Sequence, residues 1–396
     1  MRIEFFSVKL LILVLLMNFN CQKHQERNAF GEDLQFLKQY ITPIVLKQGQ
    51  QQVIVSSEFQ GRVFASTSKG LVGPSYGWFN KDLFINDNAL QNISSVGGAS
   101  RIWFGPDQGE NNVFVDVNEI TKEVIRAAPK DLDTLPFNIF EKSESAVTLG
   151  SKMHIKNLKG FDFYVDIKRS IELLSEADIA SNLNISLNSA VDFVAFSAET
   201  QMINVGNENW TKAKGIISLW ELGCMEPTPN TTAVIPLKGE VNQATVYFTS
   251  IDSTRIKIEN NTLFYKADAE YLNKIGTPPE NTLPYFGSYS PELNLLTVVR
   301  FSFTGEQDYV NAVPDNTAPY KGDVINIFND GTWGDIGPFG PFYELETSSP
   351  AKALKVGESL THVHETYHFE GSKAELNKIS VAVFGVNLDV VENALP

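Results

Sequence analysis

Along most of the chain, apolar residues fall at every second position in short blocks separated by Gly, Asn, Asp and Pro clusters. Such blocks lie at 53–59, 62–67, 112–117, 161–173, 190–205, 232–237, 244–251, 255–260, 296–303 and 324–329. Strand side chains alternate between faces, so a period of two predicts half-buried strands. Many short strands cut by turn residues predict a large antiparallel sandwich or barrel. No repeat of 20–50 residues recurs, which excludes propellers and solenoids. No change of texture divides the stretch, so 46–370 reads as one β domain.

Only the ends carry helical spacing. Asp33 offers an N-cap ahead of Leu34, Leu37 and Ile41, and Pro43 stops the run. Near the other end, Ser372-Lys373-Ala374-Glu375 forms a capping box, followed by Leu376, Ile379, Val383 and Phe384 at helical period. A helix there, within 371–396, would serve to cover an open sheet edge. The expected fold class is all-β with short terminal helices.

The first residues read as an address. Arg2 and Lys9 precede an unbroken apolar run at 10–17, and Cys21 follows shortly after. The run is far shorter than the roughly 20 residues a membrane-spanning helix needs. It resembles a bacterial lipoprotein signal, with 1–20 removed, Cys21 acylated and 21–45 serving as tether and short helix. The expected location is the bacterial cell envelope, at the outer membrane, with membrane contact through the lipid alone. Acylation of Cys21 leaves Cys224, the other of two cysteines, without a disulfide partner, so it reads as a small buried hydrophobe.

Composition narrows the function classes. Hydrophobic residues make up 43% and charged residues 20%, a globular balance. With 47 acidic against 32 basic side chains the net charge is −15, which argues against a nucleic-acid partner, because phosphate tracking needs clustered Lys and Arg. The chain has no Gly-x-x-x-x-Gly-Lys-Ser/Thr loop, no Gly-x-Ser-x-Gly elbow and no His-Glu-x-x-His helix. The expected oligomeric state is a monomer.

Two segments hold candidate chemistry. In the first, Gly97-Gly98 leads to Arg101 and Trp103, which share one face of an extended segment. A guanidinium fork beside an indole suits sugars, whose hydroxyls take paired donors and whose C–H faces stack on rings. Trp78 and Trp333 are further candidate stacking residues. In the second, Glu344 and Glu346 share a face, and His362, His364 and His368 share another, three of the five histidines within seven residues. Carboxylates and imidazoles on neighbouring strands are material for acid/base catalysis or for a metal site. His362 and His368 would lie roughly 20 Å apart on a strand, too far for one ion. His362 and His364 could share a divalent metal with Glu344 or Glu346, although no cofactor is the simpler expectation.

The same segments carry a family resemblance. Leu345-Glu346-Thr347, then Leu354-Lys355-Val356-Gly357-Glu358 and Thr366-Tyr367-His368-Phe369, resemble the closing motif of aldose 1-epimerases. Gly97-Gly98 with Arg101, Trp103 and Pro106 is similar to a segment of galactose mutarotase-like proteins, including exported bacterial ones. The resemblance implies a β-supersandwich with a sugar site on a concave sheet. It also implies that Glu346 stands where the epimerases have the base acting on the anomeric hydroxyl. The epimerase histidines have no counterpart: one would fall near Val96 and the other within 218–222. An acid would come from His364, His362 or His154. Three readings follow: a sugar epimerase, lyase or hydrolase; a glycan-binding lipoprotein without turnover; and a structural envelope protein.

Overall fold

Two antiparallel sheets stacked face to face form the body of the protein. The computed structural model describes residues 27–86, 89, 95–117, 124–313, 316–335 and 337–396. The signal segment and Cys21 lie outside the described residues. The larger sheet has ten strands. From one edge they run Ile256–Glu259, Thr262–Lys266, Thr232–Pro236, Tyr285–Ser290 and Leu295–Phe301. Ser359–Gly371, Val191–Asn204, Asp162–Leu173, Ala146–Lys156 and Asn138–Lys142 complete it. The smaller sheet has six strands, in the order Thr245–Val246, Asn273–Thr277, Ile325–Asn329, Tyr343–Ser348, Ser218–Met225 and Arg101–Gly105. A three-stranded sheet, Ile44–Gln48, Gln51–Ser56 and Arg62–Thr67, stands beside them. This is the all-β sandwich that the alternating pattern predicts.

The strand Asp162–Leu173 shows why the pattern works. Phe163, Val165, Ile167, Ile171 and Leu173 are buried on one side, while Tyr164, Lys168 and Glu172 are exposed on the other. Each such buried side chain contributes about 1.5–3 kcal/mol of transfer free energy. Arg169 breaks the rule, sitting on the buried side with no exposure. Its guanidinium donates to Glu221 through Nη1 (2.7 Å) and Nη2 (2.6 Å), and also to Thr200, Ser100 and the Gly61 carbonyl. A charge in the inter-sheet space is tolerated because each donor group finds an acceptor.

Helices close the far face of the larger sheet. Leu376, Ile379, Val383 and Phe384 of the helix Lys373–Phe384 pack with Leu296, Val298, Tyr367 and Phe369. Ser372 caps that helix by accepting from the Glu375 N–H, and Gly385 ends it at φ 71°. The helix thus covers a sheet face, where the expectation was an edge. The edge strand Asn138–Lys142 is exposed at every position. The first helix also differs from expectation. It spans Phe30–Leu37 with Ala29 at the N-cap, so Asp33 lies inside it, buried and ion-paired to Lys81 at 2.5 Å. Phe30, Leu34 and Leu37 all enter one apolar cluster with Phe64 and Phe84, and that packing sets the helix start. Helices also occur between the ends, at Lys81–Ile85, Lys130–Thr134 and Glu176–Leu183. No helix among the described residues is long and apolar enough to cross a membrane.

Candidate functional site

The register of the six-stranded sheet decides which candidates meet. Glu346 lies opposite Leu222 on one neighbour and Asn326 on the other. Leu222 in turn lies opposite Arg101, and Trp220 opposite Trp103. Directly paired residues share a face. Arg101, Trp103, Trp220, Glu344 and Glu346 therefore stand on one face, with Arg101 and Glu346 two strands, or about 10 Å, apart. Tyr343 and Leu345, of opposite parity, point into the core between the sheets.

Glu346 is the centre of this face and only 1% exposed. Its Oε2 accepts from the Lys274 ammonium at 2.7 Å and from the Trp220 indole N–H at 2.9 Å. Oε1 accepts no hydrogen bond among the described residues. The Lys274 ammonium also sits 4.3 Å from the Trp220 ring centroid. Burial pushes the Glu346 carboxyl up to about 7, and the nearby Glu344 carboxylate adds to the rise, while Lys274 and the two hydrogen bonds oppose it.

Beside it, Glu344 Oε1 accepts from Arg101 Nη2 at 2.8 Å and from the Cys224 thiol at 3.1 Å. Burial and Glu344 hold the Cys224 thiol well above its ordinary value, so it is an unreactive hydrogen-bond donor. Arg101 also lies 4.5 Å from the Trp103 ring centroid, and Trp103 meets Trp220 edge-on at 5.5 Å. Arg101 is thus a structural brace for Glu344 and Trp103, and its fork is not the open ligand grip expected from sequence.

On the other side, Asp323 accepts from Thr245 at 3.1 Å and from the Tyr247 hydroxyl. Burial raises the Asp323 carboxyl to about 6, with Tyr247, Thr245 and Lys274 acting in the opposite direction. Gly276 is required here, because a Cβ would stand 2.1 Å from Asp323 Oδ2. The void lined by Trp220, Tyr247, Asp323 and Asn326 holds only about 10 Å³, with Val310 and Ala312 closing it. Room for about one water remains.

The histidines belong to the other side of the sheet. Thr347 Oγ1 is hydrogen-bonded to His362 Nε2 at 2.8 Å and to His364 Nδ1 at 2.9 Å, within the inter-sheet space. The expected grouping of Glu346 with His362 and His364 in one cleft is therefore corrected: neighbouring residues on a strand point to opposite faces, and Thr347 takes the histidine side. The same parity keeps Glu344 and Glu346 from completing a metal site with His362 and His364. Among the described residues no group of three or more His, Cys, Asp or Glu is placed to hold a metal ion. Burial, followed by the Arg169 charge, lowers the His362 imidazole to about 3. Burial lowers His364 as well, with His362 and Arg169 adding to it. His368 stacks on Tyr76 at 4.9 Å.

The remaining candidates scatter. Trp78 is half-buried and stacks on Phe342 at 4.5 Å, at one end of the site face. Trp333 is 41% exposed in the loop after Ile325–Asn329 and is not brought to Glu346. His154 is exposed on the larger sheet, bonded to Asp162 at 2.8 Å and stacked on Tyr164. Sequence reasoning missed Lys274, Tyr247 and Asp323. The only signal for Lys274 was a cation in a short β-branched segment, Asn273–Thr277, at a position the sheet buries.

Comparison with solved structures finds likeness of fold at low identity. A galactose mutarotase-like protein from Lactobacillus casei ATCC 334 shares 12% identity over 83% of this chain and 100% of its own, with a TM-score of 0.49. A galactose mutarotase related enzyme from Lactobacillus acidophilus shares 8% over 84% and 98%, with a TM-score of 0.49. The Slr1438 protein of Synechocystis sp. PCC 6803 shares 13% over 84% and 96%, with a TM-score of 0.48. No curated protein sequence matches the chain. Residues 28–395 match a family of unknown function, DUF6786, and over that length the match makes this chain a member of it.

Proposed function

We propose that the protein binds and transforms a sugar or oligosaccharide by acid/base chemistry on the outer face of the six-stranded sheet, with Glu346 as the proton-transferring group. The observation that carries this reading is the Glu346 carboxyl itself, buried and raised to about 7 between the Lys274 ammonium and the Trp220 indole. A group titrating near neutrality exchanges protons in both directions at working pH. A second perturbed carboxyl stands near it, as at functional sites: Asp323, raised to about 6 by burial.

In the epimerase form of the reaction, Glu346 Oε1 takes the proton of the anomeric hydroxyl. Lys274, in the role expected of a histidine, gives a proton to the ring oxygen. The ring opens, and reclosure on the other face with the reverse transfers restores both groups. A pyranose needs far more than 10 Å³, so the segment bearing Val310 and Ala312 has to move aside. The filled space weighs against turnover there and leaves a second reading, a glycan binder that holds its ligand elsewhere on the domain. Under either reading, acylation at Cys21 would hold the domain at the outer membrane of a bacterial envelope.

The test uses the full chain against a glycan array, with assays of mutarotation, reducing ends and unsaturated products. Glu346→Gln should lower turnover by about 10² to 10⁴ while sugar binding falls less than about tenfold. Equal loss of both properties would reject Glu346 as the reacting group. For the anchor, Cys21→Ala should abolish labelling by a palmitate analogue, and labelling that persists would reject the lipid assignment.

A further inference from the structure

The strand Ser218–Met225 runs out into Glu226, which lines an open cleft of about 300 Å³ beyond the Arg101–Glu344 pair. One wall is Trp78, whose backbone N–H donates to the Cys224 carbonyl at 2.9 Å. Gly340 lies directly against the indole, since a Cβ there would be 2.2 Å from the ring. Phe339 lines the cleft and is 62% exposed. The space is thus walled by aromatic rings and held in shape by glycine backbone.

Charge in and around this cleft is out of balance. Lys81 is paired with Asp33 at 2.5 Å, and Arg27 with Glu370 at 2.9 Å. Glu226 has no hydrogen bond or ion pair among the described residues, and Asp82 adds a further negative charge to the lining. Burial, followed by the negative charge of Asp33, pushes the Glu226 carboxyl up to about 7, and Arg27 and Lys81 only partly offset this. A half-buried carboxylate without a bonded counter-ion is costly unless something arrives to pair with it. Asn80 supplies one more handle. Its Oδ1 caps the helix Lys81–Ile85 by accepting from Asp82 and Leu83, so its amide N–H₂ group is left for a hydroxyl.

We propose that this cleft binds an amino sugar, with the protonated amine against Glu226, the C–H face of the pyranose against Phe339, and a ring hydroxyl at Asn80. A neutral pyranose would leave the carboxylate desolvated and unpaired. An N-acetylated sugar brings no charge. A simple quaternary ammonium satisfies charge and rings but leaves the Asn80 donor unused. The site shares no residue with the Glu346 cluster, so success or failure of one leaves the other standing.

The test titrates the full chain with glucosamine at about pH 7, by calorimetry and by tryptophan fluorescence. The expected result is saturable binding, with glucose, N-acetylglucosamine and choline each at least about tenfold weaker, the scale of one charge-assisted hydrogen bond. Glu226→Gln should weaken glucosamine at least about tenfold, and Phe339→Ala by about threefold, with far-UV circular dichroism unchanged. Absence of saturation, equal affinity for any of the three comparison ligands, or retained affinity in Glu226→Gln would each overturn the proposal. If Glu226→Gln fails to fold, the ligand comparison and Phe339→Ala decide.

Discussion

Glu346 and Glu226 belong to adjacent strands of one sheet or the turn just beyond it, and both carboxyls are raised to about 7, chiefly by burial. Their surroundings differ in kind. Glu346 is clamped by Lys274 and Trp220, and the void on the other side of Trp220 holds only about 10 Å³. Glu226 has no partner among the described residues and faces about 300 Å³. Burial raises one carboxyl although it is paired, and raises the other with no bonded partner to hold it down. A shifted carboxyl therefore marks two distinct things, a closed catalytic-type pair and an open demand for a cation.

The largest effect expected from breaking this comparison is at the closed pair. Glu346→Ala would strand the buried Lys274 ammonium, and should destabilise the fold by about 3–5 kcal/mol in urea titration at neutral pH. Glu346→Ala combined with Lys274→Met should recover a good part of that loss. A double variant as unstable as the single one would show that packing, and not the uncompensated charge, dominates.

The next effect comes from the histidine layer, where burial acts with the opposite sign. The folded values of His362 and His368 are depressed to about 3, and that of His364 well below its ordinary 6.5. The unfolded chain binds more protons below pH 6.5, so these residues remove stability as pH falls through 6.5 towards 3. Glu346, Glu226 and Asp323 act oppositely: their folded values are raised, so stability is lost as pH rises from about 4 or 4.5 to 6 or 7. His364→Asn should flatten the acid side of the stability–pH curve measured by urea midpoints. An unchanged acid slope would mean that His364 is not held neutral by the fold.

A smaller effect is expected at the open carboxyl. Glu226→Gln should stabilise the ligand-free protein at pH 8 by on the order of 1–2 kcal/mol, because an ionised, unpaired, half-buried group is removed. At pH 4 the difference should vanish, since Glu226 is then protonated in both states. The smallest effect is at Phe339, whose exposure predicts a stability change within about 0.5 kcal/mol on replacement by Ala. A larger loss would make that ring part of the core and not a wall for ligand.

Much of this was written locally. Alternation along 161–173 is the burial pattern of the strand Asp162–Leu173, and the shared parity of Glu344 with Glu346, and of His362 with His364, holds in the structure. Ser372 and Glu375 do start the last long helix. Those features depend on backbone geometry over a few residues, which a linear pattern contains. The sequence alone also carried the surplus of acid and the apolar run before Cys21.

Stacking decided the rest. Parity states that Glu346 and Thr347 point opposite ways, but not which of the two meets His362 and His364. That depends on which face of the smaller sheet lies on the larger one, a choice made by total apolar burial over both sheets. The same choice turned Arg101 from an open fork into a brace for Glu344. It also brought Lys274, Asp323 and Tyr247 to Glu346 across strands distant in sequence. Glu226 shows the limit most simply. Its carboxyl is raised by desolvation and by Asp33, nearly 200 positions away along the chain, and desolvation is a property of everything folded around a group.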